Sequence, residues 1–107
     1  MGYYTDYNLE IQAGKMHDAG LMNNIKDALL EISGYTGWYY GHDELKLNEA
    51  KWYDYYRDMQ KLSERYPDLK FELHCRGEDG DQWIVYALGG KVEQCESHVE
   101  FAPRTLW

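Results

Sequence analysis

The chain is short of cysteine, of positive charge and of long apolar runs, and each shortage narrows its class. Two cysteines, Cys75 and Cys95, fit a reduced cytoplasmic protein. No run approaches a membrane span, and residues 1–6 carry neither a basic n-region nor an apolar h-region. We therefore expect no membrane partner and no secretory signal. Gly2 with Thr5, but without Ser or Thr at position 6, misses the myristoylation pattern. Only 11 Lys and Arg stand against 19 Asp and Glu, a net charge of −8. Nucleic-acid phosphates require Lys and Arg for neutralisation, so no direct nucleic-acid binding is expected. The charge favours a partner protein with a basic surface.

Catalytic signatures are missing as well. No P-loop and no G-x-G-x-x-G occurs, and Gly77-x-x-Gly80 and Gly89-Gly90 fit hairpin turns better. Ser33, Ser63 and Ser97 lie in no nucleophile elbow. Nineteen acids offer too many combinations for spacing to select a general acid–base pair. We expect no enzyme.

What is present is a single α+β domain over residues 1–107, with 11 Tyr and 4 Trp. Tyr7, Leu9, Ile11 and Ala13 alternate with polar residues as a first strand. Leu21, Ile25, Ala28, Leu29 and Ile32 recur at helical spacing, and Gly34 caps that helix. Trp38-Tyr39-Tyr40 reads as a short strand between Gly37 and Gly41. Residues 42–47 read as a loop, with 44–47 a candidate further strand, and Asn48 reads as a helix N-cap. Trp52, Tyr55, Met59, Leu62 and Tyr66 form a second helical stripe that Pro67 stops. Leu69, Phe71, Leu73 and Cys75 then alternate with Lys70, Glu72, His74 and Arg76, and 83–88 and the residues after Gly89-Gly90 complete a meander.

The predicted order is β-α-β-α-β-β-β. It suggests a two-layer sandwich: a mostly antiparallel sheet with two helices on one face, a variant of the ferredoxin-like plait. The predicted core joins Leu9, Ile11, Leu21, Ile25, Leu29, Ile32, Trp52, Tyr55, Met59, Leu62, Phe71, Leu73 and Val85.

His74-Cys75 and Cys95-x-x-His98 resemble a four-ligand zinc set, but neighbours on a strand point to opposite faces. Buried thiols and exposed histidines are the preferred reading, with no metal and no cofactor. Glu78-Asp79-Gly80-Asp81 lacks the calcium-loop spacing and reads as a solvated turn.

Aromatic and acidic residues interleave at 3–7, 35–44 and 52–58. Helical spacing cannot bury Trp52, Tyr53, Tyr55 and Tyr56 together. Tyr and Trp anchor protein interfaces, and adjacent acids suit a basic partner. The competing reading is a Tyr-rich core with wet hydroxyls. The expected contact residues are Tyr39, Tyr40, Asp43 and Glu44 in the loop, with Tyr53, Asp54, Tyr56 and Asp58 on the outer face of the second helix. They would meet a partner protein or a second copy of the chain. If that surface fails, the polar sheet face at Glu72, His74, Glu93 and Glu96 is next. The alternative function is a small-molecule or nucleotide site, with Trp38, Tyr40 or Trp83 stacking on the ligand and His42 or Asp43 as a polar contact.

Trp52-Tyr53-Asp54, Asp58-Met59, Leu62-Ser63, Tyr66-Pro67-Asp68, Phe71-Glu72-Leu73, Gly77-Glu78, Gly80-Asp81, Trp83, Tyr86 and Gly90-Lys91 together resemble short uncharacterised proteins of phages and mobile elements. The likeness covers residues 52–94 and departs at Ile84-Val85 and Ala87-Leu88. It implies fold kinship and a phage or mobile-element origin, and it carries over no chemistry. Small acidic proteins of such origin often inhibit host defence, anti-CRISPR proteins among them. By that analogy the chain is expected to inhibit a nucleic-acid-binding defence complex of the host.

Overall fold

Alternation along the strands decides which side of the sheet is buried. In β1 (Thr5–Ile11), Thr5, Tyr7, Leu9 and Ile11 are buried, while Asp6, Asn8 and Glu10 face the other way. The computed structural model describes residues 4–11, 19–41, 44–78 and 80–96. Within them, β1 is followed by α1 (Ala19–Ser33), β2 (Tyr39–Gly41), β3 (Glu44–Ala50), α2 (Tyr55–Arg65), β4 (Phe71–Gly77), β5 (Gln82–Leu88) and β6 (Lys91–Glu96). The strands form one sheet in the order β2-β3-β1-β4-β5-β6, with every neighbouring pair antiparallel. The α+β reading with an antiparallel sheet and two helices holds.

The element order differs from the expected one. Residues 44–50 form a complete strand, so the order is β-α-β-β-α-β-β-β and the sheet has six strands. Asn48 lies inside β3 and caps no helix. The alternation that marks a strand breaks within this one. Glu49 has φ +52, and the pairing with β1 shifts between Thr5 and Tyr7. Asp6 Oδ1 accepts the Glu49 N–H at 2.8 Å and holds this bulge. Beyond it Ala50 returns to the buried side, opposite Thr5.

One apolar cluster lies between sheet and helices. It contains Leu9, Ile25, Leu29, Trp52, Met59, Leu62, Phe71, Leu73 and Val85, with Leu21, Ile32 and Tyr55 packed partly buried against it. Met22 and Trp38 join it, although the sequence stripe omitted both. Each fully buried side chain of this size contributes roughly 1.5–3 kcal/mol. α1 ends at Ser33; Gly34, with φ +79, donates its N–H to Leu30 O at 3.0 Å.

Trp52 precedes α2 rather than belonging to it, and the helix begins at Tyr55. Gly89 and Gly90, both at positive φ, close the β5–β6 hairpin between Leu88 and Lys91. That tip is tied to α2. Ser63 Oγ accepts the Gly90 N–H at 2.9 Å and donates to Gln60 O at 2.8 Å, and Gln60 Nε2 donates to Gly90 O at 3.0 Å.

The opposite face of the sheet carries no helix among the described residues. Register places Tyr39, Lys46, Asn8, His74, Ile84 and Cys95 in one row across it, and Glu10, Glu72, Tyr86 and Glu93 in the next. Ile84 and Tyr86 are buried on this face, outside the helix-side cluster.

Candidate functional site

The expected contact residues do not form one patch. Tyr39 pairs with Lys46 on the face away from the helices, where its hydroxyl accepts from Asn48 Nδ2 at 2.9 Å. Tyr40 points to the other side and packs against the core. Asp43 and the Glu44 side chain lie outside the described residues, as does His42. Of the fallback surface, Glu72, His74 and Glu93 share the open face, and the Glu96 side chain lies outside the described residues.

Asp58 requires a correction. It is 3% exposed and not at an outer edge. The helical wheel carried it outward on the assumption that Trp52 was part of the helix. Trp52 instead precedes the first turn and brings its indole over it, and its Nε1 donates to Asp58 Oδ2 at 2.7 Å. Arg57 Nε lies 3.9 Å from the other carboxylate oxygen. Asp58 is a buried structural acceptor.

The same aromatic cluster absorbs several other rings. Trp52 meets Tyr7 edge-on at 5.1 Å and Trp38 at 5.5 Å between ring centres. Tyr7 donates its hydroxyl to Trp52 O, Tyr35 donates to Lys51 O, and Trp38 Nε1 donates to Ser33 Oγ. The Tyr7 hydroxyl is raised above its ordinary pKa, first by burial and then by the nearby Cys75. The Cys75 thiol is raised by burial alone. These groups are neutral core members and poor nucleophiles.

What remains outward is a shoulder where the chain enters α2. Tyr53 is 69% exposed, the highest value among the exposed large hydrophobic residues. Beside it Asp54 pairs with Arg57 at 3.0 Å, both exposed. Tyr56 is exposed along its ring, but its hydroxyl donates to Val92 O at 2.9 Å, so it fastens the helix to β6. Of the predicted residues, Tyr53, Asp54 and Tyr56 therefore share one exposed region.

The rings expected to stack on a ligand are engaged elsewhere. Trp38 is buried in the core, and Trp83 packs against Tyr55 with 6.2 Å between centres. Two open grooves that share Asp6 and Arg76, one running to Tyr4, Glu49 and Glu78 and the other to Asn8 and Lys46, include none of Trp38, Tyr40 and Trp83. His74 and Cys75 point to opposite faces, and among the described residues no three His, Cys, Asp or Glu side chains gather as metal ligands. No helix is long and apolar enough to cross a membrane among the described residues. No protein-family model, curated protein or solved structure matches the chain.

Proposed function

We propose that this chain is a non-enzymatic protein-binding module whose contact surface is the α2 shoulder. The observation that carries the reading is Tyr53: a large ring, 69% exposed, beside the exposed carboxylate of Asp54. An exposed Tyr gives an anchor of low entropy cost, and the acid gives charge suited to Lys or Arg on a partner. The net charge of −8 favours the same partner class. The burial of Trp38, and the partly buried packing of Tyr40 and Trp83 against the core, favour this reading over a stacking pocket. In the specific form of this proposal, the chain occludes a basic, nucleic-acid-binding complex of a phage host. We read the fold beneath it as a ferredoxin-like unit of β2-β3-β1-β4 and two helices, extended by the β5–β6 hairpin.

Capture from host lysate at low salt, with purified wild type and with the double variant Tyr53→Ala, Asp54→Lys, tests the reading. The wild type should retain a basic protein, and adding the chain should displace nucleic acid from that protein. The variant should lose about 2 kcal/mol of binding, roughly 30-fold, with an unchanged circular dichroism spectrum. Nothing retained at low salt, or equal retention by a folded variant, would overturn it.

A further inference from the structure

Two cations on the open sheet face, Arg76 and Lys46, form no ion pair among the described residues. Arg76 of β4 stands directly across from Asp6 of β1, yet it makes no ion pair among the described residues. Two of the acids near it, Asp6 and Glu78, place one carboxylate oxygen each on a backbone N–H and keep their charge. Asp6 Oδ1 accepts the Glu49 N–H at 2.8 Å, and Glu78 Oε1 accepts the Tyr4 N–H at 3.0 Å. Lys46 of β3 has Tyr39 and Asn8 as its cross-strand neighbours, neither of them charged, and it too makes no ion pair among the described residues. Both cations line one groove of about 370 Å³, together with the amides of Asn8, Asn48 and Gln82, the carboxylate of Asp6 and the ring of His74. Gln82 lies directly across from Arg76 on β5. In a chain of net charge −8, four adjacent strands thus present a fork of guanidinium donors, one ammonium and several amide donors, against the single carboxylate of Asp6, into one depression.

We propose that this groove binds the terminal phosphate of a compact phosphate monoester. A guanidinium grips two oxygens in parallel, and an ammonium supplies a point charge from another direction. The NH2 groups of Asn8 and Gln82 add neutral donors, and Asn48 adds the N–H that it does not give to Tyr39. A tetrahedral group with three terminal oxygens uses donors converging from several strands, whereas a planar carboxylate is filled by the Arg fork alone. A phosphodiester strand does not fit. His74, at the groove's edge, lies 3.5 Å from Glu10 and 3.2 Å from Glu72, so a polyanion continuing across the sheet would meet those acids. The site is on the sheet's open side, apart from the α2 shoulder, and it does not depend on the protein-binding reading.

Titration of the 15N-labelled protein at pH 7.5 and low ionic strength tests this, with phenyl phosphate and inorganic phosphate as probes. Sodium chloride at matched ionic strength is the control; acetate and an oligonucleotide lacking terminal phosphate are the competing arms. Phenyl phosphate should give saturable shifts at Asn8, Lys46, Arg76 and Gln82. Saturation by inorganic phosphate as well would assign recognition to the phosphate group itself, and its failure to bind would overturn that assignment. Arg76→Gln and Lys46→Gln should each weaken binding at least tenfold while leaving the spectrum of the fold unchanged. Shifts that only track chloride, or saturable binding that survives both substitutions, would overturn the proposal. Tighter binding of acetate or of the oligonucleotide at the same residues would also overturn it.

Discussion

Replacing Asp58 by alanine removes the acceptor of the Trp52 indole N–H, a 2.7 Å bond to a carboxylate that is 3% exposed. A hydrogen bond to a charged group contributes about 1.5–3 kcal/mol, and a buried donor left unpaired costs about as much. An acid in the first turn of α2 adds roughly 0.3–1 kcal/mol through the helix dipole. The Arg57 contact at 3.9 Å adds little, because the Arg57 side chain is 62% exposed. Relief of the desolvation of the carboxylate works in the opposite direction. The net expectation is a loss of about 2–3 kcal/mol. Asp58→Asn keeps an oxygen that can accept from Trp52 and should cost about half of that. Urea unfolding followed by tryptophan fluorescence and circular dichroism measures both, with the m-value as the check on two-state behaviour. At this chain length each kcal/mol lowers Tm by roughly 4–6 °C. An alanine variant within about 0.5 kcal/mol of wild type at constant m would refute the buried-acceptor argument. It would return Asp58 to the surface role that the helical wheel suggested, where substitution weakens partner binding and leaves stability alone.

Two further outcomes follow from the same geometry. Ser63→Ala should cost about 1–3 kcal/mol, because the Gly90 N–H loses its 2.9 Å acceptor; a Ser63→Ala protein as stable as wild type would show that solvent replaces it. Stability should fall at alkaline pH. Tyr86 is pushed up from 10.0 to about 12, first by burial and then by Glu72, Cys95 and Glu93, and Tyr7 and Cys75 are raised as well. The folded state holds these protons more tightly than the unfolded chain. Their contribution is therefore complete below about pH 9–10 and is lost as pH rises towards about 12. A urea midpoint constant from pH 9 to 11.5 would count against it.

Legibility followed regularity of period. β4 alternates without interruption, and its buried and half-exposed residues fall where Phe71, Leu73, Cys75 and Glu72, His74 predicted. The Gly89-Gly90 turn was legible because two adjacent positions needing positive φ leave few other residue choices. β3 was not. Leu45 and Leu47 carry only two apolar turns of the period before the Glu49 bulge breaks it, and Asn48 there imitates a cap. The bulge depends on a bond from Asp6, 43 residues earlier, which no local window contains. That long-range bond separates a seven-residue strand from the loop expected at 42–47.

The interaction surface was legible only where a residue's neighbours stay local. Tyr53 reads as exposed from a helical wheel, and it is exposed, although it lies in the turn before α2. Tyr56 reads the same way, but β6 supplies Val92 O as a partner for its hydroxyl. Asp58 needed the position of Trp52, and a shift of the helix start from 48 to 55 moved that indole from the stripe to a bracket over the first turn. The one available signal was chemical: a buried indole N–H needs an acceptor, and Asp58 is an acid in the first helical turn after Trp52. The cations of the open face had no local signal at all. Lys46 and Arg76 are single residues on strands 30 positions apart in sequence. Only the β3-β1-β4 pairing puts them over one groove. Composition pointed away from them, because an average of −8 says nothing about where the few positive charges converge.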